Sequence, residues 1–325
     1  MKNKKNLQSI LLVNTGTPSE PEPKAIRSYL KEFLSDKRVI KIPRIIWLPI
    51  LYLFILTIRP YRKINDYKKI WTKKGSPLLV IFKSLLKKLK DNSKGTNNYY
   101  RIAMRYGEPA IKDQLIFFKE KKISKLIILP LFPQFSYSTT ASVIDKVTVS
   151  LKEIKWNPQL KIIKEYYKEK LFIDSISKSI VNEWKKNGEK NFLIFSYHGL
   201  PKKYVQQGDT YYKACCNTSE LIANKLNINS DEYITSFHSK FGFGEWTKPY
   251  TEDLLNELPK KGMKSIDILS PAFSIDCLET LEEISIQGKE TFIEAGGENF
   301  DLIPCLNDND DHINLFKNLV SKYIL

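Results

Sequence analysis

The segments SILLVNTGTP (9–18) and NFLIFSYHGLP (191–201) share one plan: a short apolar run, a glycine, and a proline two residues later. An apolar run of this length, closed by a turn signal, reads as a strand buried on both faces, as in a parallel sheet. The likeness continues along the chain. YGEPAIKDQL (106–115) is answered by KPYTEDLL (248–255), and LPLFPQFSYSTTASV (129–143) by LSPAFSIDCLETL (269–281).

Around these anchors, strand-like runs alternate with helical stretches, the pattern of an α/β fold. The first half holds SILLVN (9–14), YRIAMRY (100–106), SKLIILPLF (124–132) and LKIIKEY (160–166). The second holds NFLIFSYH (191–198), EYITSFH (232–238), SIDILSPAF (265–273) and FDLIPCL (300–306). The sequence therefore predicts two similar doubly wound domains, 1–167 and 168–325, each a four-stranded parallel sheet flanked by helices. The last helix, DDHINLFKNLVSKYIL (310–325), is free to pack back on the first half.

A four-stranded unit of this kind is expected in the order 2-1-3-4. Ligands of open parallel sheets sit beyond the carboxyl ends of the strands, where the order reverses. In the second half the residues leaving strands 1 and 3 are YHGLP and SIDCLET, so His198 and Glu279 are expected to face one another across a crevice. Of the three histidines, His312 reads as a surface or capping residue and His238 as a structural strand end. His198 leads straight into Gly-Leu-Pro, an exit that leaves its ring at the sheet edge. Glu279 and Glu283 are four apart and share a helix face. Ser274 and Asp276 are alternative N-caps for that helix. A histidine with a carboxylate suits a divalent metal with open positions, or a general base and its partner.

Composition narrows the classes. The chain has 52 Lys and Arg against 36 Asp and Glu, a net charge of +16. That charge suits solvated lysine-rich helix faces or attraction to anions; no compact Arg-rich patch with interleaved aromatics points to nucleic acid. Cys215, Cys216, Cys277 and Cys305 form no CxxC pair and read as reduced thiols. No GxGxxG, GxxxxGK[ST] or GxSxG motif is present, which disfavours nucleotide enzymes and serine hydrolases.

Residues 45–58, IIWLPILYLFILTI, form the longest apolar run, set between Arg44 and Arg59 and interrupted by Pro49. At 14 residues it falls short of the roughly 20 needed to span a bilayer. The N-terminal MKNKKNLQSI lacks a signal peptide's apolar core. The chain is expected to be cytoplasmic, with this run as an apolar lip.

LLVNTGTPSEP, KIWTKKGSPLL, AMRYGEP, LPLFPQFSYSTTAS, SYHGLPKKYVQQGDTYYKAC, WTKPYTEDLL and SPAFSIDCLETLEEISIQGKETFIEAGGENF together resemble ferrochelatases of the Gram-negative bacterial type, in order and register over about residues 8–307. The resemblance implies a chelatase-like fold with a porphyrin cleft between its halves. It implies insertion of Fe²⁺, as substrate metal, into protoporphyrin IX to give protohaem, with no organic cofactor. His198 would take pyrrole protons or bind metal, and Glu279 would face it as metal ligand or proton acceptor. Glu283 would continue the acidic line, in which Gln287 replaces a third carboxylate. Thr15, Arg105, Trp47 and Trp246 are assigned to substrate binding, Thr15 without a direct metal role. Cys277 stands where mitochondrial members have histidine, and His238 and Lys240 where glutamine and arginine are usual. Cys215 and Cys216 are adjacent, so no [2Fe-2S] cluster is expected. The lip then meets the macrocycle or the inner face of the cytoplasmic membrane, with Arg44, Arg59 and Arg62 near propionates or lipid headgroups. The alternatives are a coproporphyrin III ferrochelatase, another class II tetrapyrrole chelatase, or a non-catalytic tetrapyrrole carrier.

Overall fold

The structure, a computed structural model, describes residues 8–93, 98–242 and 244–323; the basic N-terminal stretch 1–7 and the last two residues lie outside them. Eight strands form two four-stranded parallel sheets. The first contains β1 (Gln8–Gly16), β2 (Asn98–Tyr106), β3 (Lys125–Pro130) and β4 (Gln159–Ile162) in the order β2-β1-β3-β4. The second contains β5 (Phe192–His198), β6 (Tyr233–His238), β7 (Ser265–Leu269) and β8 (Asn299–Leu302) in the order β6-β5-β7-β8. Both match the expected 2-1-3-4.

The central strands are apolar throughout because helices cover both faces. Ile10 to Val13 and Leu193 to Phe195 are fully buried. In the first sheet Leu11, Val13, Ala103 and Ile128 pack with Ile111, Leu115 and Phe118 of helix Ile111–Glu120, and with Val143 and Val147 of helix Ser142–Glu153. In the second, Ile194, Ile266 and Ile268 pack with Leu255, Ile284, Phe292 and Phe300.

The chain forms two compact units. The second runs from Tyr166 to Asn307; the first takes the chain up to Glu165 and again from Asp308. The division thus falls slightly before the expected 167/168 boundary, and the last helix belongs to the first unit. That helix, Asp310–Lys322, buries Ile313, Phe316, Leu319 and Val320 and lies against helix Pro77–Asp91. Its approach is fixed at Asp308, whose carboxylate accepts from the Ser84 hydroxyl (2.5 Å) and whose carbonyl accepts from Lys88 Nζ (2.6 Å).

The lip is longer than its apolar run suggests. Helix Arg44–Ile50, a π-turn Leu51–Ile55 and helix Leu56–Ile70 join into one helix of 27 residues, long and apolar enough by length and composition to cross a membrane. Only one stripe is buried: Trp47, Leu51, Leu56, Pro60 and Tyr67. The five-residue step from Leu51 to Leu56 coincides with the π-turn, whose i→i+5 geometry keeps both on the inner side. Pro60 has no N–H for the carbonyl four residues back, and Arg27 Nη1 donates to that Leu56 carbonyl instead (3.0 Å). Ile45 (85% exposed), Leu53 (65%) and Phe54 (60%) face outward.

Two glycines set the strand ends. Gly16 has φ +122°, and a Cβ there would lie 1.9 Å from the Tyr106 carbonyl oxygen. At Gly199 a Cβ would meet the His238 carbonyl at 2.9 Å and the Trp246 ring at 3.2 Å. In each unit the end of the first strand presses on the end of the second, and a side chain would part them. Gly188 also has positive φ, at +77°, but open space around it. Gly188→Ala should therefore cost only the left-handed backbone penalty of roughly 1–2 kcal/mol, whereas Gly16→Ala should cost clearly more. Urea melts of the two variants check the ranking.

Candidate active site at the strand ends of the second unit

β5 and β6 finish together, with His198 paired to His238 in register. The ladder extends one step further through the Gly199 N–H, which donates to the His238 carbonyl (2.7 Å). His198 is half-buried, and its Nδ1 lies 2.8 Å from the Gly199 carbonyl. A carbonyl only accepts, so Nδ1 carries the proton and Nε2 is the basic nitrogen. The bridge between Pro201 and Trp246, with Thr247 N–H donating to the Leu200 carbonyl (2.9 Å), holds half-buried Trp246 over Gly199.

His238 is 8% exposed. Its Nδ1 is 2.8 Å from the Ser196 hydroxyl, which continues to Thr251 and on to Ser236, each step 2.8 Å. Burial, and then the neighbouring His198, push its pKa well below the ordinary histidine value. The next residue, Ser239, donates its hydroxyl hydrogen bond to Glu283.

The third element is the segment after β7. Asp276 is buried and clamps the chain: its carboxylate accepts from the Thr280 hydroxyl (3.0 Å), the Cys305 N–H (3.3 Å) and the Asn307 amide (2.6 Å). Thr280 Oγ1 accepts from the Cys277 N–H (3.0 Å). In the run DCLET, Asp276 and Thr280 therefore build the turn, and Glu279 is left half-buried at the helix start.

That helix differs from expectation. Residues Glu279–Gly288 form a π-helix, not an α-helix. Each turn closes on i+5, so Glu279 and Glu283 still lie near one line, Glu283 trailing by just under a turn. Glu282 is not turned to solvent. It is 0% exposed, and its carboxylate accepts from the Gln287 amide five residues on (2.7 Å).

In the first unit, Thr15 is half-buried at the end of β1, its N–H bonded to Asn14 Oδ1 (2.7 Å). Two expected substrate contacts are otherwise engaged. The Arg105 guanidinium pairs with the largely buried Asp36 carboxylate, which also accepts from Ser142 (2.5 Å) and Tyr106 (2.9 Å). Burial works to raise the Asp36 carboxyl, but Ser142, the Arg38 amide and Arg105 hold it below the usual carboxylate range. Trp47 is 5% exposed, and its indole N–H donates to the Leu34 carbonyl at the end of helix Pro23–Leu34 (2.7 Å). One is half of an internal ion pair, and the other caps a helix. The sequence reads His238 as a structural strand end; the structure sets it beside His198, as SYH (196–198) and SFH (236–238) ending adjacent strands alike would place it.

The ferrochelatase family model matches residues 8–324. The chain belongs to the ferrochelatase family. It is 44% identical to the ferrochelatase of Photobacterium profundum, covering 98% of each chain. It is 43% identical to that of Vibrio atlanticus, covering 99% of this chain and 100% of the relative. Among solved structures it resembles SirB from Bacillus subtilis with Fe³⁺ (TM-score 0.58, 13% identity, 97% and 94% covered). It also resembles CbiX, the terminal enzyme of sirohaem biosynthesis in denitrifying bacteria (TM-score 0.54, 12% identity, 98% and 100% covered). These similarities show the chelatase-like fold. A ferrochelatase is a lyase of haem biosynthesis that inserts iron into porphyrin, which sets the carrier alternative aside.

Two expectations follow. Arg105→Ala strands the Asp36 charge, so it should lower stability by about 3–5 kcal/mol, as for a broken buried pair, while porphyrin affinity at permissive temperature is unchanged; chemical denaturation and fluorescence quenching read these separately. His238 stays neutral when folded, whereas an unfolded histidine protonates near pH 6.5. Below that pH the unfolded state binds more protons, so this contribution is intact above about 6.5 and lost as pH falls. Melting temperature should drop between pH 7 and 5, and by less in His238→Gln.

Proposed function

We propose that this ferrochelatase inserts Fe²⁺ into protoporphyrin IX at the His198 edge, with Glu279 opposite and Glu283 beyond. The observation that carries this reading is the tautomer of His198: Nδ1–H is committed to the Gly199 carbonyl, leaving Nε2 basic at the strand end. Insertion exchanges two pyrrole N–H protons for one Fe²⁺. His198 Nε2 accepts a proton, and the Glu279 carboxylate takes a proton or steadies the ion as its waters leave. Glu283, tied to Ser239 from the middle of the π-helix, passes charge outward. Trp246, beside His198, offers a flat apolar surface to the macrocycle. Iron is the substrate, and no organic cofactor or [2Fe-2S] cluster takes part. Burial pushes the Cys215, Cys277 and Cys305 thiols up.

The outward face of helix Arg44–Ile70 supports a peripheral contact with the cytoplasmic membrane and favours protoporphyrin over the more carboxylated coproporphyrin III. Ile45, Ile46, Leu53, Phe54, Ile58 and Tyr61 are all exposed, a grouping soluble surfaces rarely leave bare.

His198→Ala should cut kcat by about 10²–10⁴, the usual cost of losing a general base, with porphyrin binding by fluorescence quenching retained; more than a tenth of wild-type kcat would sink the assignment. Glu279→Gln should lose more kcat than Glu283→Gln, and Glu282→Gln should lower the melting temperature instead, because its buried carboxylate holds Gln287. Leu53→Ser with Phe54→Ser should reduce sedimentation with anionic liposomes and raise KM for protoporphyrin. Unchanged sedimentation would mean that this face meets something other than lipid. Relative kcat/KM for protoporphyrin IX and coproporphyrin III decides between those substrates.

A further inference from the structure

His198 shares its edge with a second imidazole. Residues paired in register on neighbouring strands point to the same sheet face, and His198 and His238 are such a pair. Their ring centroids are 5.7 Å apart, at an interplanar angle of 65°. In each ring Nδ1 is already held: by the Gly199 carbonyl in His198 and by the Ser196 hydroxyl in His238. The chain from Ser196 through Thr251 to Ser236 can donate in one direction away from His238, which lets its Nδ1 donate and leaves a lone pair on Nε2. His238 Nε2 is buried and has no hydrogen-bond partner. Buried nitrogens left unpaired are costly and rare enough to call for a cause.

We propose that His238 is a second ligand for incoming Fe²⁺, holding it jointly with His198 through their Nε2 atoms before it passes to the porphyrin. The proposal rests on the reading of His198 as the metal-handling residue. Two imidazole nitrogens at roughly 2.1 Å from one ion place their ring centroids about 5 to 6 Å apart, and the observed spacing falls in that range. His198 shows the arrangement usual for metal-bound histidines, its second nitrogen donating to a fixed acceptor, and the Ser196 hydroxyl can serve His238 in the same way. Ser239, the residue next to His238, donates its hydroxyl hydrogen bond to the Glu283 carboxylate. Among the described residues no group of three or more His, Cys, Asp or Glu side chains forms a metal cage. A two-nitrogen station binds an ion and lets it go, as a substrate ion requires.

The chain's three histidines make the test direct. Wild-type protein is loaded with Co²⁺ alone, without porphyrin, and its proton NMR spectrum is searched for strongly shifted, exchangeable imidazole N–H signals. Two are expected, one of them lost in His238→Gln. In that variant KM for the metal ion should rise by about tenfold or more, as for lost metal-site partners, while KM for porphyrin holds; a purely structural role would not split the two constants. A single signal in the wild type, absent in His198→Ala, overturns this proposal and leaves the reading of His198 standing. No shifted signal overturns both. If His238→Gln does not fold, the wild-type spectrum alone decides.

Discussion

The close approach of two strand ends at Gly199 governs the second unit. The Gly199 N–H bonds the carbonyl of His238, its Cα side meets the Trp246 ring, and its own carbonyl fixes the proton on His198. One residue without a side chain thus sets the spacing of β5 and β6, the seat of Trp246 and the basic nitrogen of His198. Any Cβ there would push the two histidine-bearing ends apart. The chemistry depends on backbone packing before it depends on any ionisable group.

The two units share this frame and fill it differently. Met104 N–H bonds the Pro109 carbonyl (2.7 Å) just as Phe237 N–H bonds that of Pro249 (2.9 Å), and Gly16 meets Tyr106 as Gly199 meets His238. In the first unit the neighbouring polar groups are closed on one another, with Asp36 bound by Arg105, Ser142 and Tyr106. In the second, His198 keeps a free basic nitrogen and Glu279 stands at a helix start. Duplicated backbone thus carries unequal side chains.

Much of this was legible in the sequence because it was written twice. Strand positions, the 2-1-3-4 order and the placing of His198 and Glu279 just beyond strand ends followed from matching SILLVNTGTP with NFLIFSYHGLP and LPLFPQFSYSTTASV with LSPAFSIDCLETL. What was hidden depends on distant partners. Arg105 meets an aspartate 69 residues away, Trp47 reports on the end of an earlier helix, and the last helix chooses its unit through Ser84 and Lys88. The π-helix was hidden for another reason. Carboxylates four apart fit an α-helix equally well, and only the backbone bonding over Glu279–Gly288 distinguishes the two. The lip's outward face was legible as apolar, but its buried stripe, Trp47 included, was not.

The central claim is that the His198 edge handles the metal through imidazole nitrogen. X-ray absorption at the iron edge, on anaerobic protein loaded with Fe²⁺ and no porphyrin, tests it most directly. The account predicts imidazole scattering in the wild-type spectrum that disappears in His198→Ala. An all-oxygen shell, identical in the two proteins, would contradict it.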